Sequence, residues 1–163
     1  MKYALLTAFL RKKDLKKKNN GFKNQSYASL AQDYIKKIQG FERQFEWLSV
    51  EDLEEKKNYT LCLLDISSNK KNNSFSGKYV NEGTEAMAQF VKDFQMNSGQ
   101  GAKKLIWAIG DHDGWKESHY KQAQYIMTFG KNTFPHELAT VMCLEQVYRS
   151  FSILNNHPYH LGH

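Results

Sequence analysis

Cysteine is scarce in this chain. There are two, Cys62 and Cys143, each inside an apolar run and with no second Cys or His at metal-ligand spacing. That argues against a disulfide framework or a zinc site, and predicts two buried thiols and no bound metal. Long hydrophobic runs are also missing. Nothing approaches the stretch of about 18 apolar residues that crosses a bilayer, so no membrane partner is expected. Met1-Lys2-Tyr3 leads into an apolar run too short for a secretory signal and lacking a small-residue cleavage site, and a cytoplasmic protein is expected. No internal repeat or composition shift divides the chain. Its 163 residues are expected to form one domain over positions 1–163.

What is present points to a folded, basic protein. Hydrophobic residues make up 40% and aromatics 13%, too much for a disordered chain. Lys plus Arg number 23 against 17 Asp plus Glu, and the excess is concentrated in Arg11-Lys12-Lys13-Asp14-Leu15-Lys16-Lys17-Lys18. Lys12, Lys13, Lys16, Lys17 and Lys18 would be held to a phosphate backbone by counterion release; the plainer reading is a solvated basic loop.

Hydrophobic spacing alternates along the chain. Tyr3 to Phe9 is strand-like; Gln25 to Ile38 repeats apolar residues at helical spacing, with Ser26 as the expected cap. Gln44 to Val50 alternates as a strand does. Leu61 to Ile66, interrupted only by Asp65, and Leu105 to Ile109 are continuous apolar runs, the pattern of strands buried on both faces, and Tyr125 to Phe129 is a shorter one. Glu82 to Phe94 carries an apolar helical stripe between them. Strand and helix in alternation predict an α/β domain with a largely parallel sheet and helices on its faces. Ser67 to Ser76 reads as an inserted polar loop, and Asn97 to Gly101 as a flexible turn.

Ligands of open parallel sheets bind beyond the carboxyl ends of the strands, so the loops after Asp65, Ile109 and Phe129 are where chemistry is expected. The second of these is Gly110-Asp111-His112-Asp113-Gly114-Trp115, whose glycines either serve the turn or let backbone approach a ligand. The third runs Phe129-Gly130-Lys131-Asn132-Thr133-Phe134-Pro135-His136. An apolar-periodic stretch with Glu145-Gln146-Val147-Tyr148-Arg149 follows, and the tail is Asn156-His157-Pro158-Tyr159-His160.

These four motifs, in this order and spacing, resemble the RlmH family of SPOUT-type methyltransferases, which act on N3 of a pseudouridine in bacterial large-subunit rRNA. The resemblance is strong from Lys103 onward and looser before it. It implies a parallel sheet with a C-terminal trefoil knot, a homodimer with a site shared between subunits, and S-adenosyl-L-methionine as cofactor. It places Leu64, Gly110, Phe129, Gly130, Lys131, Asn132, Thr133 and Phe134 around that cofactor, with large-subunit rRNA or the assembled ribosome as partner.

Transfer of a methyl group to a pyrimidine imide nitrogen requires that nitrogen to lose its proton and to be held in line. His160 is the first candidate for the base, or for orienting the base edge, with Tyr159 beside it. Arg149 reaches either a phosphate or a carboxylate. Tyr148 is expected to serve packing, and His136 either caps, packs or takes part in catalysis. Trp115 either covers the pocket or packs on the short helix that follows. Asp65 binds a ligand hydroxyl or a loop amide.

The chain also departs from the family pattern. Asp111 stands where two consecutive glycines are usual, Thr140 where an arginine is common and Gly130 where a serine is usual. A glycine after the first strand is missing near Ala8-Phe9, and the inserted loop displaces Gly77-Lys78. An active enzyme is the first reading. The others are a diverged, catalytically weak or silent RNA- or ribosome-binding relative and a methyltransferase retargeted to another RNA.

Overall fold

The computed structural model describes residues 3–55, 58–65, 73–98 and 103–161. Its strands are β1 (Tyr3–Thr7), β2 (Glu46–Ser49), β3 (Tyr59–Leu64), β4 (Lys78–Tyr79), β5 (Lys104–Ile109) and β6 (Tyr125–Met127). Among the described residues they form one sheet of order β2-β1-β5-β3-β6-β4, and every pairing is parallel. The helices are α1 (Lys12–Leu15), α2 (Gln25–Gln39), α3 (Val50–Glu55), α4 (Thr84–Asn97), α5 (Glu117–Gln122) and α6 (His136–Leu154).

The continuous apolar runs have the physical cause expected of them. Side chains alternate across a strand, so a strand covered on both sides must be apolar at every position. On one face Tyr3, Leu5, Cys62, Leu105, Trp107 and Ile109 meet the buried residues of α2, α4 and α6. On the other, Ala4, Leu6, Leu61, Leu63, Ile106 and Ala108 meet Leu53 of α3 and Tyr120 of α5. The first face is anchored by aromatics. Tyr3 stacks on Trp107 with centroids 5.9 Å apart and meets Phe151 edge-on at 5.0 Å; such pairs add about 0.5–1.5 kcal/mol each beyond the area they bury. Burial pushes the Tyr3 hydroxyl up to about 12.

Both cysteines are buried free thiols. Burial raises Cys62 well above its ordinary value and pushes Cys143 up to about 12, so neither presents a thiolate at neutral pH.

Some boundaries differ from the sequence expectation. The cap of α2 is Asn24, not Ser26: its side-chain oxygen accepts from the Tyr27 amide at 3.0 Å. Asn24 has the extended backbone a cap needs, and its own amide is fixed by Glu137. The basic segment is no plain loop. Asp14 accepts the Arg11 amide at 2.9 Å and closes α1, and a 3-10 turn over Lys18–Gly21 follows. The expected strand at Gln44 to Val50 is cut to β2 because Asp52 accepts both the amide and the hydroxyl of Ser49 and starts α3. β6 stops at Met127, where Thr128 turns its hydroxyl onto Gly130.

Most of the Ser67 to Ser76 insertion, and residues 99–101 of the expected turn, lie outside the described residues.

Candidate active site

Three loops converge at the carboxyl edge of β3, β5 and β6. After β3, the Asp65 amide donates to the Met127 carbonyl at 2.9 Å, and the Asp65 carboxylate accepts the Tyr120 hydroxyl at 2.5 Å. Burial and that carboxylate both hold the Tyr120 hydroxyl well above its usual value, so it stays a donor. Asp65 is thus engaged by a side chain of α5.

After β5, Asp111 and Gly114 close a tight turn in which the Gly114 amide donates to the Asp111 carbonyl at 2.9 Å. The turn brings Trp115 back over Gly110. A Cβ on Gly110 would lie 3.3 Å from the indole, a contact that only a shift of the ring would relieve. The indole N–H then donates to the Leu64 carbonyl at 2.8 Å. Trp115 therefore ties the first loop to the second as well as packing.

After β6, Gly130 takes φ +105°, a region that favours glycine. The Thr128 hydroxyl donates to the Gly130 carbonyl at 2.9 Å and accepts its amide at 3.0 Å. Pro135 then caps α6, and the His136 ring packs 4.2 Å from that of Phe9.

Together the loops enclose a cleft of about 580 Å3. Leu64, Gly110, Phe129, Gly130, Asn132, Thr133 and Phe134 all line it, and so do Trp115 and His136; Lys131 belongs to the third loop but does not line the cleft. Among the described residues the lining carries three carboxylates, Asp65, Asp111 and Asp113, and neither Lys nor Arg, in a chain of net charge +6. Among the described residues no cluster of His, Cys, Asp and Glu could hold a metal, and no helix is long and apolar enough to cross a membrane.

The tail residues gather elsewhere, around Glu145. Its Oε1 accepts from Arg149 Nη2 at 2.5 Å and Nε at 2.9 Å, and from the Tyr159 hydroxyl at 3.1 Å. The guanidinium lies 4.8 Å above the Tyr159 ring. Burial comes first in raising the Tyr159 hydroxyl above its usual value, then its bonds to Tyr34 and Glu145, so it remains a donor. Arg149 Nη1 is 3.2 Å from His160 Nδ1, and His160 Nε2 is 3.3 Å from Glu85. A guanidinium has nothing to accept with, so Nδ1 must be the acceptor and Nε2 carries the hydrogen toward Glu85.

His160, Tyr159 and Arg149 thus form one network, and none of them lines the cleft. A groove of about 540 Å3 lies between the two regions: it shares Phe129 and Gly130 with the cleft and reaches Tyr34, Thr84 and Glu145. Tyr148 serves packing, as its sequence context indicates; it is buried against Phe41, Tyr34 and Tyr159.

Sequence reasoning missed Glu145 as the hub of this network. The signal was there, in the four-residue spacing of Glu145 and Arg149 on one helix.

The basic segment follows β1 and so sits at the same edge of the sheet as the cleft. Lys12 lies 3.8 Å from Asp52 and Lys17 3.0 Å from Asp14. Lys13, Lys16 and Lys18 are exposed.

A parallel α/β sheet with a ligand cleft built from the loops after three of its strands is the architecture of a class of methyltransferases. The family model described as predicted SPOUT methyltransferase matches residues 20–160. Ribosomal RNA large subunit methyltransferase H of Ureaplasma parvum serovar 3 is 31% identical over 149 residues, covering 85% of this chain and 92% of that protein. The protein of that name from Flavobacterium johnsoniae is 29% identical over 144 residues, covering 84% and 91%. The one from Koribacter versatilis is 47% identical over 87 residues, 53% of this chain and 56% of the relative. The chain belongs to the SPOUT methyltransferases, in the RlmH family.

Proposed function

We propose that the protein is an S-adenosylmethionine-dependent methyltransferase of large-subunit rRNA, acting on N3 of a pseudouridine. The observation that carries the reading is the cleft. Its volume falls in the range of about 300–1,000 Å3 typical of cofactor sites. Gly110 and Gly130 bring main chain without a side chain to its wall, and three carboxylates with no Lys or Arg among the described lining residues suit a cationic ligand rather than a phosphorylated one. When bound, S-adenosylmethionine supplies an electrophilic methyl group.

The chain's residues then have separable tasks. Leu64, Gly110 and the loop Phe129 to Phe134 hold the cofactor largely through backbone. Lys13, Lys16 and Lys18, with Lys12 and Lys17, hold RNA phosphates at the same edge of the sheet. His160, Tyr159 and Arg149 meet the pyrimidine. Both ring nitrogens of His160 are engaged, by Arg149 and Glu85, which supports an orienting role for the imidazole. As a base it would have to exchange Arg149 for the ring N–H.

The active form is a homodimer in which the tail of one protomer meets the cleft of the other. What supports this is the separation of the tail network from the cleft within one protomer. The trefoil knot belongs to the same reading and is supported by β6 entering the slot between β3 and β4, both earlier in the chain. Action on ribosomal RNA supports a cytoplasmic location as part of the same reading. The test is calorimetric titration with S-adenosylmethionine, then addition of ribosomes that lack the modification. Micromolar binding followed by methyl transfer is expected; no binding would refute the reading.

A further inference from the structure

Among the described residues, the acidic and basic side chains lining the cleft are all carboxylates, opposite in sign to the chain's net charge, and the three differ in how they are held. Asp65 is engaged by the Tyr120 hydroxyl. The Asp113 side chain is 84% exposed, and water screens it. Asp111 is 41% exposed and lies between these extremes, on the turn that follows Gly110. Its Oδ1 accepts the His112 amide at 2.7 Å and lies 2.6 Å from His112 Nδ1, and its Oδ2 has no partner among the described residues. The turn is closed by backbone atoms of Asp111 and Gly114, so the carboxylate is not needed to form it.

We propose that Asp111 is a specificity-determining residue that favours the cationic methyl donor over its neutral spent form, and so promotes product exchange. This rests on the methyltransferase reading above. The donor carries a sulfonium, an ammonium and a carboxylate, with net charge +1. Transfer converts the sulfonium to a thioether, and S-adenosylhomocysteine has net charge zero. The adenosine and the amino-acid end are the same in both, so a backbone cleft alone discriminates weakly. A carboxylate in the lining responds to the one feature that changes. Interactions at partly exposed charges correspond to about two- to fivefold in affinity, and they weaken with salt.

The experiment compares dissociation constants of S-adenosylmethionine and S-adenosylhomocysteine by calorimetry, for wild type and Asp111→Asn, at about 20 mM and 500 mM salt. Asparagine keeps an acceptor for the His112 amide, and circular dichroism checks that the variant folds. The wild type is expected to prefer the donor, with the ratio falling about two- to fivefold in Asp111→Asn and falling also in wild type at high salt. An unchanged ratio, with both ligands weakened or strengthened equally, would overturn the proposal and leave Asp111 acting on the turn or on the shared carboxylate. If the wild type bound neither ligand, the methyltransferase reading would fail and this inference with it.

Discussion

The indole N–H of Trp115 donates to the main-chain carbonyl of Leu64 at 2.8 Å. Two loops that follow different strands are thereby fixed to one another at the mouth of the cleft. The carbonyl belongs to a residue lining the cleft, and the ring that reaches it packs over Gly110, which lines it too. The shape of the cleft thus depends on a bond that no residue spacing reveals.

Trp115→Phe keeps an aromatic ring and removes the donor. A lost hydrogen bond of this kind costs about 1 kcal/mol of stability, and where the ligand must then order the two loops itself, S-adenosylmethionine should bind more weakly, by about fivefold at most. Calorimetry checks this, and an unchanged affinity would reduce Trp115 to packing alone.

Glu145→Gln removes the charge that holds Arg149 and Tyr159. Both partners are largely buried, with Arg149 16% and Glu145 19% exposed, and hydrogen bonds to charged groups contribute about 1.5–3 kcal/mol. A loss of about 2 kcal/mol of stability in urea is expected, with loosening of the tail network at neutral pH. Amide exchange at Tyr159 and His160 reads the second effect. Equal exchange in both proteins would show that the tail is held by other contacts.

Replacing Lys16, Lys17 and Lys18 together with Ala should weaken RNA binding and flatten its salt dependence. Each lost phosphate contact lowers the log–log slope by about 0.7 for single strands, so the total change approaches about 2. Lys17 already lies beside Asp14, which sets its contribution below that of the other two. A slope identical to wild type would leave the segment a solvated surface.

Acid should loosen α5. His119 Nδ1 accepts the Lys116 amide at 3.1 Å, which requires a neutral ring. Burial, then the nearby Lys116, holds its pKa below the ordinary 6.5. The unfolded chain therefore binds a proton first. The contribution is fully present above about 6.5 and is lost as pH falls through the lower folded value. Urea denaturation between about pH 5 and pH 7 should show stability rising with pH, with a smaller rise in His119→Gln. Parallel curves would exclude His119 as the source.

How far the fold could be read in advance follows from what each signal encodes. Leu61 to Leu64 and Leu105 to Ile109 announced doubly covered parallel strands because burial on both faces leaves no polar position. The helical stripes of α2 and α4 were legible because only one face of each is buried, which leaves apolar residues at helical spacing among polar ones. Local rivalry among polar side chains was not: Asn24 outcompeted Ser26 as a cap because Glu137, 113 residues away, fixes the Asn24 amide. At the candidate site, the loops holding Leu64, Gly110 and Phe129 to Phe134 were found by their position after strands and by motif resemblance. The Trp115 to Leu64 bond, 51 residues apart in sequence, and the approach of Tyr34 and Glu85 to the tail depend on tertiary contact alone, whereas the Glu145–Arg149 pair lies at helical spacing.

The most direct test of the account is mass spectrometry of nucleosides from large-subunit rRNA. Ribosomes lacking the modification would be incubated with S-adenosylmethionine and either wild-type protein or His160→Ala. Wild type should form N3-methylpseudouridine, and His160→Ala should lose most of its turnover while binding S-adenosylmethionine as tightly as wild type does. Cofactor binding by wild type with no methylated pseudouridine formed would contradict the account.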